Sequence, residues 1–226
     1  MFGIQGRPFR VMLFAATILA LLATASLSAD IKTLRKQAEA GDAKSQYLLG
    51  EAHYFGKGVK QNYAEAMKWY RMAGDHGYAA AQNNIGHMYK KGEGVPQDHA
   101  EAVKWYRKAA EKGDAQAQSN LGVAYFKGRG VPRDYTEAVK WTRKAAEQGL
   151  TIAQFNLGVA YAKGQGVPRD YVQSYCLLSL AASYGAGEEQ KEYSRTRDLV
   201  ANRLTPEELM EAQRMTREWE KSHPRK

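Results

Sequence analysis

The 226 residues hold 33 Lys and Arg against 24 Asp and Glu, with five His and one Cys, for a formal net charge of +9 at pH 7. A single cysteine excludes a disulfide scaffold, so stability must come from packing. Acidic residues interleaved with the basic ones exclude the uninterrupted basic stripe that holds nucleic acid, and the length suffices for one domain with a continuous core.

Residues 1–29 read as a signal peptide region. Arg7 and Arg10 give a positive start, Val11 to Leu22 carry no charge, and small residues follow from Ala23 to Ala29, interrupted by Leu27. That order of segments marks secretion, with Ala23-Thr24-Ala25 the best small-x-small site and a mature start between Ser26 and Asp30. Export predicts a periplasmic or secreted protein of bacterial type. The alternative is an inner-membrane anchor, because the uncharged stretch just reaches the length of a bilayer span.

Residues 30–40 predict a lone helix that caps the first of four blocks, and residues 41–184 divide into those blocks, 41–76, 77–112, 113–148 and 149–184. Glycine recurs at Gly41, Gly77, Gly113, Gly149 and Gly185, and Ala-x-x-Trp at Ala66, Ala102 and Ala138. A period of this length marks stacked helical hairpins, none of which covers its apolar face alone. Within the third block, Ala117, Leu121 and Tyr125 form one stripe of a first helix. Gly128, Gly130 and Pro132 end that helix, and Asp134 with Glu137 predicts a capping box for a second, which buries Tyr135, Ala138, Val139, Trp141, Thr142, Ala145 and Ala146. Gly50, Gly86, Gly122 and Gly158 sit inside the first helices, where glycine costs about 1 kcal/mol against alanine. Its repetition at one register predicts close helix contact there.

The fourth block breaks the pattern: Cys176 replaces the lysine of Lys68, Lys104 and Lys140, among Tyr175, Leu177, Leu178 and Leu180. A helix apolar on so many sides needs a cover. Residues 185–220 predict it as two capping helices, the second opened by Thr205-Pro206-Glu207-Glu208. A basic tail closes the chain over residues 221–226.

These motifs, G-D-x-x-A-Q-x-x-L-G, Y-x-x-G-x-G-V-P-x-D and A-x-x-W-x-R-K-A-A, read best from Gly113 to Ala146, resemble the Sel1-like repeat, a relative of tetratricopeptide arrays. The resemblance implies an all-α fold, a right-handed α-solenoid of stacked hairpins with capping helices, whose first helices line a concave face. It further implies an adaptor or scaffold that binds a protein or peptide. Departures are Lys60 in place of proline, His53 and His99 in place of tyrosine, and Leu177 in place of the fourth tryptophan.

No reaction machinery is visible. The glycine pairs lack a following Gly-Lys-Ser/Thr, the histidines show no metal spacing, and no serine has lysine three residues later. The expectation is a non-enzyme with no catalytic residue, metal or cofactor. The contrasting class, a cell-envelope enzyme acting on peptidoglycan or a β-lactam, has no motif behind it. Arg71, Arg107 and Arg143 read as a solvated outer face beside Glu–Lys pairs.

Two sets of residues are candidate binding sites. Asn84, Asn120 and Asn156 repeat at one register, and with Tyr47, Asn83, His87 and Phe155 they define a candidate groove for a peptide segment. The other reading of the asparagines is a bond to a neighbouring helix. Lys57, Lys91, Lys127, Arg129, Arg133, Lys163 and Arg169, with Lys60 and Lys90 beside them, fall at the glycine turns and would align as a basic ridge opposed mainly by Glu93. Such a ridge suits an acidic partner or an anionic envelope surface, and no nucleic acid is expected.

Overall fold

The structure, a computed structural model, describes residues 30–223; the signal-peptide reading and the last three residues of the tail lie outside them. Eleven helices and no strand occupy the described residues. They are α1 (residues 30–39), α2 (Ala43–Phe55), α3 (Tyr63–Asp75), α4 (Ala79–Lys91), α5 (His99–Glu111) and α6 (Ala115–Lys127). Then come α7 (Tyr135–Glu147), α8 (Thr151–Lys163), α9 (Tyr171–Tyr184), α10 (Gly187–Ala201) and α11 (Pro206–Ser222).

The second helices start where short polar residues stop the preceding turn. Asp98, Asp134 and Asp170 hold extended backbone, and each carboxylate accepts N–H groups that the first helical turn leaves unpaired. The reciprocal box expected at Asp134 does not close: Glu137 turns outward to Lys140 Nζ (2.8 Å) and to the Trp141 indole N–H (3.1 Å). A charged lysine and an indole on the same turn compete successfully for that carboxylate. The full box forms at Thr205 and Glu208 instead, with Pro206 opening α11. First helices end on left-handed glycine, as at Gly128, where φ is 64° and the N–H returns to Ala124 and Tyr125 carbonyls.

Two compact units result among the described residues: 30–81 with Glu93–Pro96, and Gln82–Gly92 with 97–223. Core clusters form within each unit where neighbouring hairpins stack. In the first unit, Ala38 of α1 packs with Leu49, Ala52 and Trp69, fringed by Ile31, Leu34, Val59 and Met72. In the second, Val139, Ala145, Ala146, Ala153, Leu157 and Ala160 form one cluster, and Ala181, Ala182 and Tyr193 another. The apolar α9 is covered by α8, α10 and α11, and Cys176 is buried there with its thiol pKa raised by that burial. Trp141 is 6% exposed; its truncation to alanine should cost about 3–5 kcal/mol.

The glycines inside the first helices do admit close contact. A Cβ on Gly50 would lie 2.6 Å from the Tyr70 ring, and one on Gly86 would lie 2.7 Å from the Tyr106 ring. A second device ties α2, α6 and α8 each to the helix before it. Gln46, Gln118 and Gln154 are buried, and their side-chain amides donate to the carbonyls of Ala38, Ala110 and Ala146. The outer arginines are not simply solvated: Arg107 and Arg143 donate to the hydroxyls of Tyr125 and Tyr161 at 2.6 and 2.7 Å, with the guanidinium over the ring. One donor and a π-face make a clasp between helices that charge counting along one helix does not reveal. The helix α11 runs through Lys221 to Ser222, into the stretch read as tail, and Trp219 stacks on His223 at 4.2 Å.

Candidate functional site

Two adjacent cavities open on the second unit. The first, about 580 Å³, lies among the end of α4, α5 and α6, lined by Lys90, Lys91, Tyr106, Asn120, Lys127 and Arg129 together with Val123 and His99. The second, about 400 Å³, lies among α6, α7 and α8, lined by Phe126, Thr142, Ile152, Phe155, Asn156 and Lys163. Val123 and Lys127 of α6 belong to both, so the cavities share a wall.

Helix periodicity places these side chains. Asn120, Val123 and Lys127 follow one another at three- and four-residue steps, which is one face of α6. Lys90 is half-buried, and its pKa is lowered by that burial and then by Lys91, Lys127 and Arg129. Tyr106 is 2% exposed, burial raises the pKa of its hydroxyl, and the hydroxyl has no hydrogen-bond partner among the described residues. In the second cavity the corresponding residue is Thr142, and the lining turns apolar: Phe126 and Ile152 remain 38% and 40% exposed.

The predicted groove and ridge thus meet in part. Asn120, Lys91, Lys127 and Arg129 come together in the first cavity, and Phe155, Asn156, Lys127 and Lys163 in the second. Asn120 also donates to Asn83 Oδ1 at 3.0 Å, so that amide serves a neighbouring helix as well as the cavity. Asn84 and His87, both half-buried, line neither cavity. Arg133 and Arg169 stay on the turns, stacked over Tyr135 and Tyr171. Tyr47 and Lys57 belong to the first unit: Tyr47 packs on Tyr70 and Tyr78 and donates to Glu51, and Lys57 lies over Phe55. Glu93, the ridge's opposing acid, accepts from Tyr54 at 2.7 Å in that same unit. Sequence reasoning missed Tyr106, Phe126, Thr142 and Ile152 as lining. The signal was present at one register, where Tyr70 and Tyr106 are followed by the smaller Thr142.

Among the described residues no three His, Cys, Asp or Glu side chains come together to hold a metal ion, and no helix is long and apolar enough to cross a membrane. The family model for the Sel1 repeat matches four times, at residues 43–78, 79–114, 115–150 and 151–185. The chain belongs to the Sel1 repeat family. It is similar to a Sel1 repeat protein of Oxalobacter formigenes, with 35% identity over 75% of this chain and 72% of that one and a TM-score of 0.64. It is also similar to a protective antigen of uropathogenic Escherichia coli strains with an SLR fold, at 29% identity over 86% of this chain and a TM-score of 0.52. The match spans only 56% of that antigen's length. No curated protein matched. The all-α solenoid class follows, and Sel1 repeat proteins are in general protein-interaction scaffolds.

Proposed function

We propose that this Sel1 repeat protein is an exported, non-catalytic scaffold that grips a segment of a partner protein along the first-helix face of its second unit. The observation that carries the reading is the pair of cavities that share Val123 and Lys127 and hold exposed Phe126 and Ile152. Apolar side chains left half in water beside convergent polar groups favour an occupant over plain solvation. Solenoid faces of this kind suit extended or helical segments.

A photo-crosslinking residue placed at Phe126, with a second protein bearing it at Lys140 on the outer face of α7, tests the reading in cells. The expected result is a discrete partner captured from position 126 and not from position 140. Equal capture from both, or none, overturns it. Export is tested on the full chain by N-terminal sequencing of the extracytoplasmic fraction. The expected first residue lies between Ser26 and Asp30; a chain retaining residues 1–29 in the membrane overturns cleavage in favour of the anchor.

A further inference from the structure

The chemistry of the gripped segment can be read from the two cavities. Lys90, Lys91, Lys127 and Arg129 gather around the first, and none of them makes an ion pair among the described residues. Lysines elsewhere on the same repeats do find partners: Lys104 pairs with Glu101 and Lys140 with Glu137, each one turn away. The four cavity cations instead converge on one space whose lining holds no acidic side chain. Four like charges around one partly enclosed space repel one another, and an anion entering it is attracted by all four. The neutral groups agree with that demand. The Asn120 amide and the buried, unpartnered Tyr106 hydroxyl line the same cavity, and both can donate to a carboxylate.

On the other side of the shared wall the preference reverses. Phe126, Ile152, Phe155 and Val159 offer an apolar surface, with Thr142 leaving room where a tyrosine stands one repeat earlier. A helix with its side chains is about 10 Å across, and an extended segment advances about 3.3 Å per residue. Two side chains that straddle α6 are then about three residues apart in the ligand. Resting on the reading that this face binds a segment, we propose that the segment recognised is acidic and apolar together. A Glu or Asp enters the Lys90–Lys127 cavity, and a large apolar side chain about three residues away fills the Phe126–Ile152 cavity.

Selection from a random dodecapeptide library on the purified protein tests this, followed by affinity measurement on selected peptides. Enriched peptides should share an acid and a large apolar residue two to four positions apart. Lys127→Glu should weaken them at least about tenfold, while Lys127→Arg holds within about twofold. Phe126→Ser should weaken them through the apolar residue. Lys127 and Phe126 are both exposed, so neither change threatens folding, and unchanged circular dichroism verifies this. Enrichment of peptides without an acid, or affinity indifferent to Lys127→Glu, overturns this inference and leaves segment binding standing. Phosphatidylglycerol vesicles that displace a selected peptide as well as free peptide does overturn it as well, by assigning the cations to a lipid surface. A library that yields no binder overturns both readings.

Discussion

The cavity between α4 and α6 and the cavity between α6 and α8 are built from the same positions of consecutive repeats, yet one gathers four cations and the other is lined mainly by aromatic and aliphatic groups beside Lys127 and Lys163. The backbone frame is common to both: aspartate-capped second helices, a glycine-ended α6 and α8, and a helix glycine facing its partner helix. What differs is a handful of registers. Tyr106 becomes Thr142, Lys90 becomes Phe126, and Gln116 becomes Ile152. In a repeat fold the shared residues hold the stack, and the sites that depart from the repeat are where binding preference is written.

The comparison breaks most severely if its common frame is disturbed. Gly86→Ala would drive a Cβ into the Tyr106 ring at 2.7 Å, and the ring, 2% exposed, has little room to move. The expected loss, after alanine's better helix propensity is credited, is about 2 kcal/mol by urea denaturation. Gly158→Ala meets the flexible Leu178 at 2.9 Å and should lose visibly less. Thr142→Tyr would then give the apolar cavity the side chain of its neighbour. The expected result is about a tenfold loss of affinity for the apolar residue of a bound peptide, with the acid's contribution intact, read by a double-mutant cycle.

Smaller effects sharpen the contrast. Tyr106→Phe removes a buried hydroxyl that has no partner among the described residues, so stability should rise by up to about 1 kcal/mol while affinity for an acidic peptide falls a few-fold. Stability and affinity falling together would mean the hydroxyl serves the fold. The first unit offers a pH test of the same logic. His53 stands buried at the register where Tyr125 and Tyr161 are clasped by arginine. Burial lowers its pKa, and nearby Glu65 offsets this only in part. The unfolded chain then binds the proton more readily than the native one, so stability rises with pH across the range below the ordinary histidine value of 6.5. The Tm at pH 5 should fall below that at pH 7, and His53→Tyr should narrow the gap. Lys140→Ala, on the exposed and locally paired face, should change neither Tm nor affinity measurably.

Much of the fold was legible because it is written in local, repeated chemistry. Asp98, Asp134 and Asp170 announce helix starts, Gly128 and Gly164 announce helix ends, and Gly86 announces tight packing, each from a few residues of context. The cluster of cations at Lys91, Lys127 and Arg129 was also readable, since periodicity brings turn-edge residues of adjacent repeats together. The cavities themselves were not. The second is lined by Thr142 where a tyrosine stands one repeat earlier, a difference that means something only once the helices are placed in space. The Arg107 and Arg143 clasps were misread for a similar reason, because their tyrosine acceptors lie 18 residues downstream on another helix. Asn120 carried two readings in the sequence and lines the cavity while bonding Asn83.

The buried glutamines set a rule for how this chain can change length. Gln118 reaches the Ala110 carbonyl and Gln154 the Ala146 carbonyl, each the same number of residues back. Excise residues 113–148 and Gln154 arrives opposite Ala110, with its amide N–H again facing a carbonyl. Excise any fraction of that block and a buried amide and a buried carbonyl are both stranded. The array can therefore grow or shrink only in whole multiples of its unit, as a chain does in links.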